Sequence, residues 1–553
     1  MNYFCSKDCP DLCAYSAEMV EGNYKFTGIA QEWQETGFVC SKFKVFAERE
    51  INNNIKSYHI QEGKKSEFES DESIDKLSEL LKEYRNKKIL YMRGSGSLAY
   101  NMSYWDVLFS SFENCYNTTG GPCDDTGGDA HEADFGDVLN PPTRNLENAD
   151  TIILYGRNVA VCSQHLYAYL KTLKKQGKKI IYLDPVKMET AKIADRYIQL
   201  NPCCDGLIAC ALLSELGYED RYSVNDLIEK AGISKGDFEY ILNAIKSGKC
   251  AHIQGVGLQR HNNGMNSFQW INRLAVKTGC DDMLYYGHGS KRFWKSPEKT
   301  FKGSVHVDKI AESIADFDLF VCVAANPVMT FPDTNLWKKN LSKVKTIVVD
   351  TNHTETTEYA DFLLKVGGMF SQEDFMASYF FEHDHSREKL LSEMSDTDAV
   401  KALGEKLDIE INVKEQSEIE KLHPKRGEYK TENLDLVFPK RKEGLQLITS
   451  SHGSYLNSQI LPGMEKGLQI IRINRNDAEK LGINSGDDVI VKGEKGSFKV
   501  EAEVTDGIKS GNVMCWKNIP MKEGYTNNAI PHELTDSGNG LVYYTHFVEL
   551  EKA

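Results

Sequence analysis

Short apolar runs that end in polar turns recur along this chain, and they restrict its fold more than any other feature. Residues 151–155 are apolar and end in Gly-Arg-Asn, and a helical stretch leads from there to a second apolar run, 179–183, which ends in Asp-Pro. Strand, helix and strand at this spacing form a βαβ unit of a parallel sheet. The pattern therefore predicts an α/β protein.

The same pattern begins earlier, at 89–92, and returns as a second set of strands at 317–323 and 345–349. Ligands of open α/β sheets bind beyond the carboxyl ends of the strands, so the turns there are candidate nucleotide or phosphate sites. Ordinary α/β loops are also rich in Gly, Asn and Asp, and this alternative stays open. The candidate residues in these turns are Gly94, Ser95, Gly156, Asn158, Asp184, Asn326, Asp350 and Thr351.

The pattern changes in the last third of the chain. Residues 383–443 are densely charged, which predicts a linker or a surface excursion. Short β runs follow at 469–473, 488–492 and 497–504, separated by glycines. Such runs indicate a small closed β barrel.

Four cysteines lie in the first forty residues, as Cys5-x3-Cys9-x3-Cys13 followed by Cys40. A cubane iron–sulfur cluster needs four thiolates that converge on one point, and a tight loop with a later fourth ligand meets that need. Disulfides, a structural zinc site and chance clustering of buried cysteines are the alternatives. The spacing favours a 4Fe-4S cluster.

Composition limits the class of protein. A chain of 553 residues is long enough for several domains and for burying a large cofactor. It has no run of about 18 apolar residues, as a membrane helix would need, and no leader-like segment precedes the first cysteine. A net charge of −15 argues against nucleic acid as a partner. Many reduced cysteines favour a cytoplasmic location.

A series of short motifs follows in an order typical of one known family. The motifs are 40–42, 156–158, 184–185, 190–195, Asp205, 255–264, 326–333, 350–361, 457–459, 474–487 and 534–535. On these motifs the whole chain resembles a molybdopterin oxidoreductase of the dimethyl sulfoxide reductase superfamily, which includes formate dehydrogenases and nitrate, thiosulfate and polysulfide reductases. His532 departs from the family, which usually has Asn there.

The resemblance implies the fold and the cofactors. It implies an N-terminal iron–sulfur segment, two α/β domains that hold two molybdopterin guanine dinucleotides, and a six-stranded double-psi β barrel. Two dithiolenes give the metal four sulfur ligands, which suits molybdenum or tungsten. The predicted domains are 1–55 (iron–sulfur segment), 56–250 (first α/β domain, with part of the second interleaved as an option), 251–382 (second α/β domain), 383–443 (linker) and 444–553 (barrel). The implied cofactor contacts are Gly94, Ser95, Gly156, Asn158, Asp184, Asp205, Gly257, Arg260, Asn326, Thr330, Asp350, Thr351, His452, Asn457, Ser458 and Asn474.

The resemblance also indicates residues at the reaction centre. Members of the family bind the metal through Cys, selenocysteine, Ser or Asp, or through no side chain. Cys123, in a glycine-flanked turn, is the predicted ligand because a thiolate suits this metal; a structural role for Cys123 is also possible. Alternative ligands are Asp124, Asp125 and Cys115.

Proton and electron transfer involve other residues. Lys42 would lie between cluster and pterin, where a cation stabilises added negative charge; an ordinary surface lysine is the alternative. His131 and His261 are candidates for moving protons near neutral pH, although most histidines are packing or surface residues.

Three functions are compatible with these residues. The favoured one is a redox enzyme that oxidises or reduces a small molecule and passes electrons through the cluster to a ferredoxin or an iron–sulfur subunit. The second is a non-redox hydratase in which the metal acts as a Lewis acid. The third is an electron-relay subunit that has lost the pterins.

Overall fold

The computed structural model describes residues 2–31, 33–287, 294–423 and 425–553. The chain begins with a small antiparallel sheet and one helix: β1 (Tyr3–Phe4), β2 (Ala14–Val20), β3 (Asn23–Gly28) and α1 (Phe43–Ile51). The rings of Tyr15 and Phe43 lie 4.6 Å apart, and Phe26 stacks on Phe370 at 5.2 Å. This aromatic cluster attaches the N-terminal segment to the rest of the molecule.

Strands alternate with helices through the middle of the chain. The first group is β4 (Ser57–Gln61), β5 (Lys64–Phe68), α2 (Ser70–Glu83), β6 (Ile89–Arg93), α3 (Ser103–Ser110), β7 (Cys115–Thr119) and α4 (Asp125–Phe135). The second group is β8 (Thr151–Tyr155), α5 (Val159–Cys162), α6 (Gln164–Lys175), β9 (Lys179–Leu183), β10 (Arg196–Ile198), α7 (Asp205–Glu215), α8 (Val224–Ala231), α9 (Lys235–Ser247), β11 (Cys250–Gln254), α10 (Val256–Gln259), α11 (Gly264–Lys277) and β12 (Leu284–Tyr286). The third group is β13 (Gly303–His306), α12 (Ile310–Ser313), β14 (Leu319–Val323), α13 (Pro327–Thr330), α14 (Thr334–Leu341), β15 (Lys345–Asp350), β16 (Phe362–Lys365), β17 (Asp374–Ala377), β18 (Asp384–Arg387) and α15 (Asp396–Leu407).

Two large sheets form the body of the molecule. In the described residues one sheet has the order β10-β9-β8-β11-β12, and all its pairs are parallel. The other has the order β13-β7-β6-β14-β15-β16-β4-β5; it is parallel from β13 to β16 and antiparallel at β4 and β5. Strands β8 and β14 are buried along their whole length, as expected where helices cover both faces of a parallel sheet. The α/β prediction is confirmed.

The two sheets interleave along the chain instead of following one another. Strand β6 pairs with β14, so 57–119 and 303–365 belong to one sheet, and the boundary predicted at residue 250 falls at the start of β11, inside the other. The predicted linker also differs from expectation, because it contains β18 and α15. Helix α15 begins with a capping box at Ser395 and buries Leu403 and Leu407 against the larger sheet's helices.

The C-terminal part is a closed barrel. Its elements are β19 (Leu445–Ser450), β20 (Ile470–Asn474), α16 (Arg475–Leu481), β21 (Asp488–Lys492), β22 (Ser497–Thr505), β23 (Asn512–Trp516) and β24 (Phe547–Lys552). The strands close in the order β19-β23-β20-β22-β21-β24, with β19–β23 and β20–β22 parallel. Closure leaves no free strand edge. The predicted six-stranded barrel is confirmed.

None of the helices in the described residues is long and apolar enough to cross a lipid bilayer.

Residues 425–436 form an extended strap over α4 and α11, held by Asp134. The Asp134 carboxylate, which is fully buried, accepts hydrogen bonds from Asn272 Nδ2 at 2.8 Å, Gln269 Nε2 at 3.1 Å and Thr431 Oγ1 at 2.5 Å. One side chain thus joins two helices and the strap.

Replacing Asp134 by Ala should destabilise the protein. The change leaves two buried donors, Asn272 and Gln269, and the half-buried Thr431 hydroxyl without this acceptor, and we expect a loss of about 3 kcal/mol in the free energy of unfolding. Thermal or denaturant unfolding followed by circular dichroism measures this loss. Glu229→Ala, on the exposed face of α8, is the control. Equal stability of the two variants would contradict the assignment.

Candidate active site

Two cavities open at the carboxyl edges of the two sheets. The larger, of about 360 Å³, lies beyond β6, β7, β14 and β15, and the smaller, of about 150 Å³, lies beyond β8, β9 and β11. Loops of the barrel close both cavities, since Asn457 and Lys517 line each of them. Such strand ends are where α/β sheets bind their ligands.

The larger cavity brings together many of the predicted contact residues. They are Gly94, Ser95, Cys123, Arg260, Asn326, Thr330, Asp350, Thr351, Asn457 and Ser458. A Cβ atom at Gly94 would lie 2.5 Å from the carbonyl oxygen of Ala324, so the turn after β6 requires glycine. Asn326 donates to Glu355 Oε2 at 2.7 Å and accepts from the Thr356 amide at 3.2 Å, which fixes the orientation of its side chain.

The smaller cavity contains the other predicted set. Its members are Lys42, Cys123, Gly156, Asn158, Asp184, Asp205, Gly257, Arg260 and Asn457. Burial raises the pKa of Asp184 to about 6 and that of Asp205 to about 7. Tyr182 donates to Asp184 at 2.6 Å, whereas Asp205 Oδ1 is buried without a hydrogen-bond partner. A buried carboxylate oxygen without a donor is costly, so this cavity suits a ligand that carries N–H groups.

The two cavities meet at Cys123. Asp8, Arg260, Asn457 and Lys517 line both cavities with it. Asn457 Nδ2 donates to Asp8 Oδ2 at 2.9 Å, and Lys517 Nζ donates to Asn457 Oδ1 at 3.4 Å. Burial lowers the pKa of Lys517 to about 8. Burial, with the carboxylates of Asp8 and Asp124, raises the pKa of the Cys123 thiol. A thiolate at this position therefore needs a strong cation beside it, which fits a metal ligand.

Side chains of α10 and β12 hold the backbone of the loop that carries Cys123. Gln259 Nε2 donates to the carbonyl oxygen of Cys123, and Gln259 Oε1 accepts from the Gly127 amide at 2.8 Å. The Tyr286 hydroxyl lies within hydrogen-bond distance of both Gln259 Oε1 and the carbonyl oxygen of Asp124. The backbone around Cys123 is thus held by side chains of other elements.

His131 lies beneath this loop and lines neither cavity in the described residues. Its Nε2 is 2.8 Å from Gln254 Oε1, its ring stacks on Tyr286 at 5.4 Å, and burial lowers its pKa to about 3. The imidazole is therefore neutral near pH 7. The other candidate, His261, lines the smaller cavity, and burial likewise lowers its pKa to about 3.

Two more predicted contacts lie away from the cavities that the described residues form. His452 packs against Tyr455 and Trp516, with ring centroids 5.7 and 4.8 Å away. Asn474 caps α16 by accepting from the Asn476 amide at 2.9 Å. Both side chains already have partners within the barrel.

The four N-terminal cysteines line one small cavity, of about 20 Å³, together with Lys42. All fourteen cysteines of the chain are free thiols. A hydrogen bond from Cys13 lowers the pKa of Cys40 to about 7, whereas burial raises that of Cys5 to about 12. No three His, Cys, Asp or Glu side chains of the described residues meet the spacing of a single-ion site.

Lys42 lies between the cysteine cavity and the smaller of the two cavities described above, because it lines both. Its Nζ donates to the carbonyl oxygen of Val161 at 2.8 Å.

Sequence reasoning missed several charged residues that line the cavities, among them Asp8, Arg157 and Lys517. Asp8 lies between the predicted cluster ligands Cys5 and Cys9, and this position is the sequence signal that could have identified it. Arg157 belongs to the predicted turn after β8 but was not selected. Lys517 follows β23, and no local pattern separates it from the surface lysines of the barrel.

Comparisons with known proteins agree with this geometry. The family model described as molybdopterin oxidoreductase matches residues 72–364, more than half of the chain, and the one described as molydopterin dinucleotide binding domain matches residues 445–547. Among solved structures, "Acetylene Hydratase from Pelobacter acetylenicus" is similar with a TM-score of 0.79, covering 100% of both chains at 12% identity. This last likeness is one of fold alone.

Relatives by sequence carry oxidoreductase names. "Probable oxidoreductase YyaE" of Bacillus subtilis (strain 168) is 25% identical over 68% of this chain; the match spans only 64% of that relative's own length. "Probable oxidoreductase YoaE" of the same organism is 23% identical over 99% of this chain and 98% of its own length. The assimilatory nitrate reductase of Haloferax mediterranei is 24% identical over 42% of this chain and 40% of its own length.

The family matches cover both the sheets and the barrel, and the cavities lie where those parts meet. The chain is an enzyme that uses a molybdopterin cofactor with molybdenum or tungsten, and it belongs to the molybdopterin oxidoreductase family, within the dimethyl sulfoxide reductase superfamily.

Proposed function

We propose that this enzyme oxidises or reduces a small molecule by two electrons and relays them through an N-terminal 4Fe-4S cluster. The observation that carries the proposal is the contact between two cavities: the cysteine cavity and the smaller cavity beyond β8, β9 and β11 share four lining residues, Lys42, Val161, Cys162 and Leu456. Groups bound in the two cavities would therefore lie on opposite sides of a few side chains. That arrangement suits electron transfer between them.

We propose that the cofactor comprises two molybdopterin guanine dinucleotides, one in each cavity. Asp184 and Asp205 would accept from one dinucleotide, and Asn326 and Asp350 would hold the other. When bound, the two pterins supply four sulfur ligands to a metal that changes oxidation state by two electrons. Cys123, at the junction of the cavities, would be the protein ligand.

The N-terminal cysteines suit a multi-iron cluster. Their thiols are largely withdrawn from water, so burial alone opposes the thiolate form that iron binding requires. Iron would supply the compensating positive charge. A four-iron cluster is larger than one ion, and its thiolates stand further apart than the ligands of one ion. Cys9 and Cys40 are half-buried, whereas Cys5 and Cys13 are buried.

Other side chains of the chain would act on the substrate near Cys123. Arg260 and Lys517 supply positive charge where the cavities meet, and such charge stabilises negative charge that develops on a substrate. The Asp8 carboxylate is oriented by Asn457 and faces the same junction. We assign His131 a positioning role, because its neutral ring supports Tyr286 beneath the loop of Cys123.

A hydratase is the second candidate, and one observation favours it. One solved structure that covers all of this chain is titled acetylene hydratase, and the similarity extends to the fold only. A hydratase would use the metal as a Lewis acid toward water or substrate, without net electron transfer.

Dependence on an electron acceptor or donor separates the two candidates. We expect the anaerobically purified enzyme to contain molybdenum or tungsten with pterin, and to turn over its substrate only when an artificial redox dye is supplied, since electrons must leave or enter. Screening small molecules with oxidised and reduced viologen dyes measures this. Hydration of an alkyne at full rate without any dye would support the second candidate instead.

Cys123→Ser should change the metal centre alone. Replacing a sulfur ligand by oxygen alters the ligand field, so we expect a changed paramagnetic-resonance signal of the metal and an unchanged cluster signal. Cys115→Ser is the matched control, because Cys115, an alternative ligand by sequence, is buried at the start of β7 and lines neither cavity in the described residues. An unchanged metal signal in Cys123→Ser would exclude this ligand.

Cys9→Ala should remove the cluster. We expect the wild-type protein to contain about four iron atoms per chain beyond any other metal, and the variant to lose most of them together with the cluster's paramagnetic-resonance signal. Cys210→Ala, in the buried helix α7, should retain the iron. Equal iron contents in both variants would rule out ligation by Cys9.

A further inference from the structure

A buried ion pair joins the cysteine loop to helix α1. Lys7, between Cys5 and Cys9, is 6% exposed, and Glu50, near the end of α1, is 4% exposed. Lys7 Nζ lies 2.8 Å from Glu50 Oε1. Burying two charges costs several kcal/mol, and the mutual attraction often returns no more than that. The pair therefore calls for an explanation other than stability.

Lys7 lies beside the cysteine cavity, next to its lining residue Phe46. Burial raises the pKa of the Cys5 thiol to about 12, and the Lys7 backbone N–H and the Lys7 charge oppose that rise. The Nζ atom also lies 5.5 Å from the centre of the Phe46 ring, and Phe46 lines the cysteine cavity. The ammonium group is thus close enough to act electrostatically on the group that the cysteines hold.

The same lysine lines the larger cofactor cavity. Its charge, with that of Arg49, partly offsets the rise that burial causes in the pKa of Asp350. Lys7 therefore lies between the cysteine cavity and the larger cavity. Lys42 has the corresponding position between the cysteine cavity and the smaller cavity.

Glu50 lies behind Lys7 and is firmly held. Its Oε2 accepts from the Phe370 amide at 3.1 Å, and a Cβ atom at Gly368 would lie 2.2 Å from Glu50 Cδ. The carboxylate cannot move away without disturbing that backbone. In contrast, Lys42 forms no ion pair in the described residues and donates to a carbonyl oxygen.

We propose that the oriented pair of Lys7 and Glu50 sets the reduction potential of the cluster from the side of the larger cavity. This inference rests on the proposed 4Fe-4S cluster. Reduction adds one electron to the cluster, and no bond to either residue forms or breaks. The Lys7 ammonium stabilises that electron, and Glu50 offsets part of the effect from further away. Both are positioning residues, because they act through the cluster.

Charge variants of the holoenzyme test this inference. At a fixed potential, Lys7→Met should lower the ratio of reduced to oxidised cluster about tenfold, which for one electron corresponds to about 59 mV. Glu50→Gln should raise the ratio. Anaerobic potentiometric titration with dithionite, followed by paramagnetic resonance of the cluster, measures both. Lys44→Met, exposed on the same helix, should titrate as the wild type does.

The exchanged pair distinguishes an electrical role from a structural one. Lys7→Glu combined with Glu50→Lys keeps the ion pair but places the negative charge beside the cluster, so we expect a lower potential than in the wild type. An intact cluster with an unchanged potential in the exchanged variant overturns this inference and leaves the proposed function standing. This variant decides the question if a single variant fails to fold. A wild-type protein without cluster iron overturns both proposals.

Discussion

The parallel pairing of β6 with β14 is the contact on which the site depends. It joins segments 230 residues apart, and it sets the turn after β6 beside the turn after β14. Gly94 then approaches Ala324 closely, and the larger cavity opens beyond both strands. Without this pairing the predicted contact residues would lie on unrelated loops. The second sheet repeats the arrangement, and the barrel covers the space between the two.

Local sequence patterns predicted where the strands lie in the chain better than which strands pair with each other. The runs 89–92, 151–155, 179–183 and 345–349 all coincide with strands, because buried parallel strands are short and continuously apolar. Nothing in such a run specifies its neighbour, so the interleaving of the two sheets stayed an open option. Helix α15 was not predicted, because most of its residues are polar or charged and the stripe of apolar residues that it buries is narrow. The segment was therefore interpreted as part of a charged linker.

The same limit applies to the site. Turn residues such as Asp184 and Asp350 were predicted to contact a cofactor; both line a cavity, since strand ends define the ligand edge of a sheet. Asn474 and His452 come from equally polar segments, yet one caps a helix and the other packs on aromatic rings. Only the structure identifies Lys517 as a site residue, because the closed barrel places it in the lining of both cavities together with Cys123. Asn474 is decided by a local cap, whereas long-range packing decides the positions of His452 and Lys517.

Charge is distributed unevenly in this protein. The chain as a whole carries −15, yet Arg157, Arg260 and Lys517 collect around the cavities, and none of them forms an ion pair in the described residues. Buried cations without carboxylate partners are costly, and the cost falls when an anionic ligand is present. A dinucleotide with its phosphates supplies such charge. A ligand that binds only the native state also stabilises it. We therefore expect the bound cofactor to stabilise the packing of the two sheets against the barrel through these same charges.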